Sequence, residues 1–205
     1  MIDIGAETTG LIVFDEGNVL YTKVFPIGAN SLTNDIAIGL RTSIDVAEKV
    51  KVKYGHSFHK EVSEKGKIDL SSIDTKEEGI FSKRHVAEIC EARMEEIFKI
   101  IRDELKRINK DTLLPAGIII TGGGAKLIGI DLLAKHCFNL PVEIGKPHSL
   151  AGLTEKVYSP EFSSAVGLML YGYDDKIRIK GLTKRSGIIV KIFERFRKWF
   201  KIFLP

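Results

Sequence analysis

Apolar positions at the start of the chain come in short blocks separated by turn residues. Ile2–Ile4 is a short apolar lead, and Leu11–Phe14 and Val19–Pro26 flank the turn Asp15-Glu16-Gly17-Asn18, which predicts a β-hairpin. The period then lengthens to that of a helix. Helices are predicted over Asn34–Leu40 and Ile44–Lys53, the second with Val46, Val50 and Lys53 on one stripe and Gly55 as a stop. His56–Gly79 is polar and weakly patterned and reads as one or two short strands on a surface excursion. From Ser82 the pattern is strong: Val86, Ile89, Cys90, Ile97, Ile100, Ile101, Leu105 and Ile108 recur at three and four, predicting a long helix that ends before Pro115. Gly117–Thr121 is a short, wholly apolar strand of the kind covered on both faces. A glycine triplet, a helix over Gly129–Cys137, a strand at Val142–Ile144 and a small-residue helix over Ser163–Tyr171 follow. Residues 174–187 are polar and basic with two glycines, which predicts a linker.

With 205 residues, 44% of them hydrophobic and 28% charged, the chain can close one core, and wholesale disorder or a fibrous fold is excluded. Cys90 and Cys137 are far apart, with no CxxC and no histidine at metal-ligand spacing. A disulfide framework and a zinc ribbon are therefore excluded, and a reducing, cytoplasmic setting is expected. The amino terminus has no signal-like pattern and no run approaches a membrane span. The net charge of +4 hides an asymmetry: residues 176–205 hold ten Lys or Arg and a single acid, Glu194, so the rest of the chain is net acidic. This polarity points to an anionic partner for the tail alone.

The tail has its own pattern. Ile189, Ile192, Phe193, Phe196, Trp199, Phe200 and Phe203 fall on one helical stripe, while Lys191, Arg195, Arg197, Lys198 and Lys201 occupy the rest. Aromatics on the apolar side, cations opposite and a linker ahead predict an interfacial helix on an anionic membrane surface. It is too short and too charged to span. A terminal helix docked on its own domain, or in a partner's groove, is the alternative. Nucleic acid is not expected, because the body is acidic and carries no recognition motif.

Two constellations carry chemistry. In Asp3-Ile4-Gly5-Ala6-Glu7-Thr8-Thr9-Gly10, a strand runs into small residues whose N–H groups can approach phosphate, and Asp3 can hold hydrated Mg²⁺. In Thr121-Gly122-Gly123-Gly124-Ala125-Lys126, an apolar strand meets glycines before a helix, leaving room for a flat ligand. Either alone is common: an ordinary hairpin turn and a tight strand-to-helix connection would look the same. Their order, with a helical segment between them, is that of nucleotide-binding halves in the actin and sugar-kinase superfamily.

The blocks DIGAETTGLIVFDEGNVLYTKVFPIGANSLTNDIA, DVAEKVKVKYG, VAEICEARMEEI, GIIITGGGAKLIGI and SSAVGLMLYG, finished by the basic amphipathic tail, resemble the bacterial cell-division protein FtsA over essentially the whole chain. The resemblance implies an α/β fold: half of an actin-like (ribonuclease H-like) ATPase with an inserted α+β subdomain and a carboxy-terminal amphipathic helix. The nucleotide-binding subdomain is expected over 1–35 and 103–173, the inserted subdomain over 36–102, the linker over 174–187 and the membrane helix over 188–205. The family ties filaments of the tubulin-like protein FtsZ to the cytoplasmic face of the membrane at the division site, so tethering rather than enzymatic turnover is implied. By resemblance, Asp3, Gly5 and Thr8 match phosphate and metal positions of an ATP·Mg site, and Gly122, Gly123 and Gly124 match the adenosine turn. Glu48 and Lys51 match positions near ribose and base, against the alternative of a solvated helix face. The half that carries the family's first phosphate loop has no counterpart here, so an incomplete ATP site is expected. Ala6 and Glu7 depart from the glycines common among relatives, and Glu7 directs negative charge toward phosphates.

The resemblance also places the acidic FtsZ carboxy-terminal peptide on the inserted subdomain. Arg93 matches the arginine used by relatives, Glu96 shares its helix face, and Arg84 lies two turns earlier. A guanidinium suits a peptide carboxylate because it forms a bidentate fork. The alternative is that these charges solvate the outer face of the helix. Self-association into actin-like filaments is implied for the full-length family. His56, His59 and His136 are expected at the surface. A pilus-assembly relative of the same fold and a remnant of a sugar-kinase-like enzyme are the rival readings, and neither accounts for the tail.

Overall fold

The computed structural model describes residues 1–111, 113–147 and 157–173. Its contacts divide the chain into Met1–Ser163 and Ser164–Pro205. In the second unit, residues 164–173 are helical. The predicted linker and the amphipathic segment over 188–205 lie outside the described residues.

The first strands follow from the alternation read above: β1 (Ile2–Ile4), β2 (Thr9–Asp15) and β3 (Asn18–Phe25). Glu16 and Gly17 both have positive φ, 49° and 80°, the conformation a two-residue hairpin turn needs to match strand twist. After α1 (Asn30–Leu40), α2 (Ile44–Tyr54), the short pair β4 (Lys67–Asp69) and β5 (Ile80–Ser82), and the long α3 (Lys83–Arg107), the chain returns to the sheet as β6 (Ile118–Thr121). Helix α4 (Ile130–Phe138) and β7 (Val142–Ile144) complete it, in the order β3-β2-β1-β6-β7. Strand β1 is the pivot: it pairs antiparallel with β2 (Asp3↔Gly10) and parallel with β6 (Ile2↔Ile120). Ile118 and Ile120 of β6 are buried, but Ile119 is 44% exposed, so this strand hides one face rather than the two predicted.

Helix α1 begins four residues before its predicted start. No side chain caps it. Its first donors, the N–H groups of Ala29 and Asn30, instead reach the carbonyls of Gly5 and Ala6 at 2.9 and 2.7 Å, which satisfies the helix end from the turn after β1. Ser43 and Ser82 cap α2 and α3 in the ordinary way, their hydroxyls accepting from the N–H groups of Val46 and Arg84. The buried stripe of α3 includes Cys90, Met94, Ile97, Phe98, Ile101 and Leu105, and Phe98 meets Phe138 of α4 edge to face at 5.3 Å. In the excursion after α2, β4 pairs with β5, which lies just past the predicted limit at Gly79.

One buried carboxylate ties α3 to the hairpin. Glu104 is 7% exposed and accepts from Tyr21 Oη at 2.5 Å, Lys23 Nζ at 2.6 Å and Arg107 Nη2 at 2.6 Å. Hydrogen bonds from Arg107, Lys23 and Tyr21 hold its carboxyl down to about 2.

Two histidines differ from expectation. His59 Nδ1 lies 2.5 Å from Glu91 of α3, with the His59 ring about a quarter exposed. The His56 side chain is only 14% exposed; its Nδ1 accepts from the Phe58 N–H and its ring covers Gly129. Both make inter-element contacts, to α3 and to the turn before α4, while staying partly exposed. His136 is exposed as expected.

Candidate functional site

Because β1 and β6 run parallel side by side, their carboxyl ends open onto the same crevice, where ligands bind in open α/β sheets. The turn after β1 is closed by the Gly5 N–H donating to the Thr8 carbonyl, and Thr9 Oγ1 donates to the Ile27 carbonyl. Gly28 lets the start of α1 press against this turn, since a Cβ there would lie 2.6 Å from the Ala6 carbonyl oxygen. Residue patterning gave no sign of Gly28, whose role depends on a contact 22 positions back.

The glycine triplet divides its work. Gly122 has φ +85°, and a Cβ on it would fall 2.3 Å from Asp3 Oδ1. A Cβ on Gly124 would fall 2.3 Å from Ile4 Cγ2, so these two glycines allow β6 to seat against β1. A Cβ on Gly123 would meet nothing within 4 Å. Its exposed backbone forms part of a cavity of about 380 Å³, with Gly5, Ala6, Gly124 and Lys126 on the strand-end side and Glu48 and Lys51 on the α2 side. Asp3, Thr8 and Gly122 do not line it: Asp3 faces Gly122, and Thr8 is exposed on the turn.

The α2 wall is preorganised. Lys51 is 11% exposed, donates to Thr33 Oγ1 at 2.8 Å and to the Ala29 carbonyl at 3.2 Å, and pairs with Glu48 at 2.7 Å. Thr33 Oγ1 in turn donates to Glu48 Oε2 at 2.5 Å. Partial burial works to raise the Glu48 carboxyl, but bonds from Lys51 and Thr33 win and leave it below its ordinary value. Lys51 is thus a held ammonium at the cavity wall, in an ion pair with the half-exposed Glu48. At the rim, Lys126 pairs with Glu161 at 2.7 Å, and Lys126 together with Ser159 holds the Glu161 carboxyl down to about 2. Backbone glycine on one wall and a held ammonium on the other suit a nucleotide. Among the described residues no group of three His, Cys, Asp or Glu side chains is placed to hold a metal. Asp3, the residue matched to Mg²⁺, does not line the cavity, and the two carboxylates that do, Glu48 and Glu161, are each paired with a lysine.

The residues assigned to a partner peptide lie on α3. Arg93 forms a two-point fork with Asp35 of α1, Nε to Oδ2 at 2.5 Å and Nη2 to Oδ1 at 2.8 Å, while its Nη1 binds Glu96. Arg84 is held by Glu64 and Glu88. The two arginines thus share one helix and both carry internal carboxylate partners. The residues assigned to the membrane, from Ile189 to Phe203, lie outside the described residues.

The strand order, the paired strand-end turns and the intervening helices define an actin-like fold. The fold matches a crystal structure of MreB 5 of Spiroplasma citri bound to AMPPNP, with a TM-score of 0.69 and 21% identity over 88% of this chain and 54% of that one. A type IV pilus PilM–PilN complex matches at 0.61, with 23% identity over 83% of this chain and 44% of that one. The family model for cell division protein FtsA matches residues 1–167, and the chain belongs to that family. It is 38% identical to the FtsA protein of Pseudomonas aeruginosa over 97% of this chain and 49% of the relative. It is 36% identical to that of Bacillus subtilis over 83% of this chain and 38% of the relative. The chain therefore spans half or less of the length of these curated relatives.

Proposed function

We propose that the chain acts in cell division as a membrane-attached adaptor, an ATP-binding actin-like body that links FtsZ filaments to the cytoplasmic face of the membrane at the division site. The observation that carries this reading is the joining, in a chain of the FtsA family, of a glycine-walled cavity to a basic amphipathic carboxy-terminal sequence. Gly123 and Gly124 offer backbone to the nucleotide, Gly5 shapes the turn beside it, and Lys51 and Glu48 face its sugar and base, whereas Asp3 and Thr8, matched by resemblance to the metal and phosphate positions, lie off the cavity lining. The segment 36–102 is the subdomain that receives the FtsZ tail, with Arg93, Arg84 and Glu96 on its recognition helix. The role is binding and tethering, with self-association through the actin-like body.

Burial of five to seven apolar side chains of the tail, at roughly 1.5–3 kcal/mol each before ordering costs, is ample for a reversible anchor. Each cation near an anionic leaflet adds about 1 kcal/mol. The test is co-sedimentation with anionic vesicles, with and without FtsZ. The intact chain is expected to pellet and to bring FtsZ with it, whereas a chain ending at Lys184 and the double variant Phe196→Glu, Trp199→Glu stay in the supernatant. Equal sedimentation of all three, or of none, overturns the membrane assignment.

A further inference from the structure

The α3 face proposed to receive an acidic peptide is not, as folded, a cationic face. Arg84 and Arg93 are answered by Glu64, Glu88, Glu96 and Asp35, so acids outnumber arginines there. A free acidic peptide approaching this surface meets no net attraction from it. Resting on the peptide-binding reading above, the question is therefore how a partner carboxylate reaches Arg93.

The four acids are not equivalent. Glu64, Glu88 and Glu96 are half exposed or more and hold their arginines by single contacts, which in water contribute little. Asp35 differs: its side chain is a quarter exposed and it engages Nε and Nη2 together. That is the fork an arginine offers to a ligand carboxylate. With Glu96 on Nη1, every nitrogen of the Arg93 guanidinium has an acidic partner. Yet the pair is not sealed: Arg93 and Asp35 are each 25% exposed, so an incoming carboxylate can reach both. The helices do not depend on this pair to stay together, because Gly39 of α1 sits so close to Ile89 of α3 that a Cβ would fall 2.5 Å from Ile89 Cδ1. Ile38 beside it is 77% exposed, an apolar foothold one turn from Asp35.

We propose that Asp35 is an intramolecular stand-in for the partner's carboxylate: it occupies the Arg93 fork in the free protein, and an acidic peptide docks along the α1–α3 seam by exchanging its own carboxylate for that of Asp35. The exchange keeps Arg93 paired in both states, so no bare cation is exposed at any time. It also lowers affinity for isolated peptides by the fraction of time the fork is taken. Weak single binding suits a partner that presents many tails at once along a filament.

The experiment is a titration of the intact 205-residue chain with the FtsZ carboxy-terminal peptide. It compares wild type, Asp35→Asn, Arg93→Gln and the double variant, with thermal melts to show that each is folded. Exchange predicts that Asp35→Asn tightens binding about two- to fivefold. Arg93→Gln weakens it, and Asp35→Asn has no effect once Arg93 is Gln. A peptide whose acids are replaced by Asn and Gln gains nothing from Asp35→Asn. If Arg93→Gln weakens binding but Asp35→Asn also weakens it or leaves it unchanged, Asp35 merely orients the arginine; exchange is then overturned while the peptide reading stands. If the peptide binds and Arg93→Gln changes nothing, or if neither wild type nor Asp35→Asn binds, the peptide reading at this face falls and exchange falls with it.

Discussion

Gly122, Gly123 and Gly124 are adjacent and chemically identical, but the fold asks different things of them. Gly122 needs its positive φ and the absence of a Cβ against Asp3 and Ile4. Gly122→Ala therefore costs about 1–3 kcal/mol from backbone strain alone, with overpacking in addition. Gly123 has open space and no special φ, so Gly123→Ala should stay within about 0.5 kcal/mol of wild-type stability. The same methyl would stand in the proposed nucleotide cavity. The expected outcome is a melting temperature lowered by Gly122→Ala and unchanged by Gly123→Ala, with binding of a fluorescent ATP analogue reduced by the latter. A Gly123→Ala chain that binds the analogue as wild type would separate this turn from nucleotide binding. Local constraint is also why the glycines stood out in the sequence. Ala29 and Glu161 reach the same cavity only through tertiary folding, and nothing in their neighbourhoods announced it.

At the level of elements, α3 is held at both ends by chemistry of different visibility. Its apolar stripe and its Ser82 cap are local and were readable from spacing, as were the hairpin turn and β7. The Glu104 cluster was not, since Tyr21 and Lys23 lie 83 and 81 positions away. The start of α1 was missed for a related reason: its cap is the backbone of the turn after β1, not a side chain. The Glu104 network makes a pH prediction. A glutamate titrates near 4.3 in an unfolded chain and at about 2 here, so its native pKa is depressed. Its stabilisation is therefore present in full above about pH 4.3, fades as pH falls toward 2 and is absent below. Glu104→Gln should melt earlier than wild type at neutral pH, and the gap should narrow across that acid window. A gap independent of pH would mean that the loss is one of packing rather than charge.

For the whole molecule, the split between an acidic body and a basic tail makes an ionic-strength prediction. If cations of residues 176–205 assist attachment, vesicle binding should weaken as salt shortens the screening length from about 10 Å at 0.1 M to about 3 Å at 1 M. It should not vanish, because the apolar stripe is unaffected by screening. Binding insensitive to salt on anionic vesicles, and equal on neutral ones, would assign the anchor to the apolar stripe alone.

Strand β1 has one further consequence, which concerns synthesis rather than the finished protein. Ile2 pairs with Leu11 nine residues on, but its other edge is completed by Ile120. At about 5–20 residues per second the ribosome delivers β6 on the order of ten seconds after β1. During that interval the hairpin presents an unpaired strand edge carrying Ile2 and Ile4, two of the most deeply buried side chains of the final core. Such an edge can template pairing with another nascent chain. The long, strongly periodic α3, which emerges before β6, can fold on local contacts alone and give the waiting hairpin something to pack against.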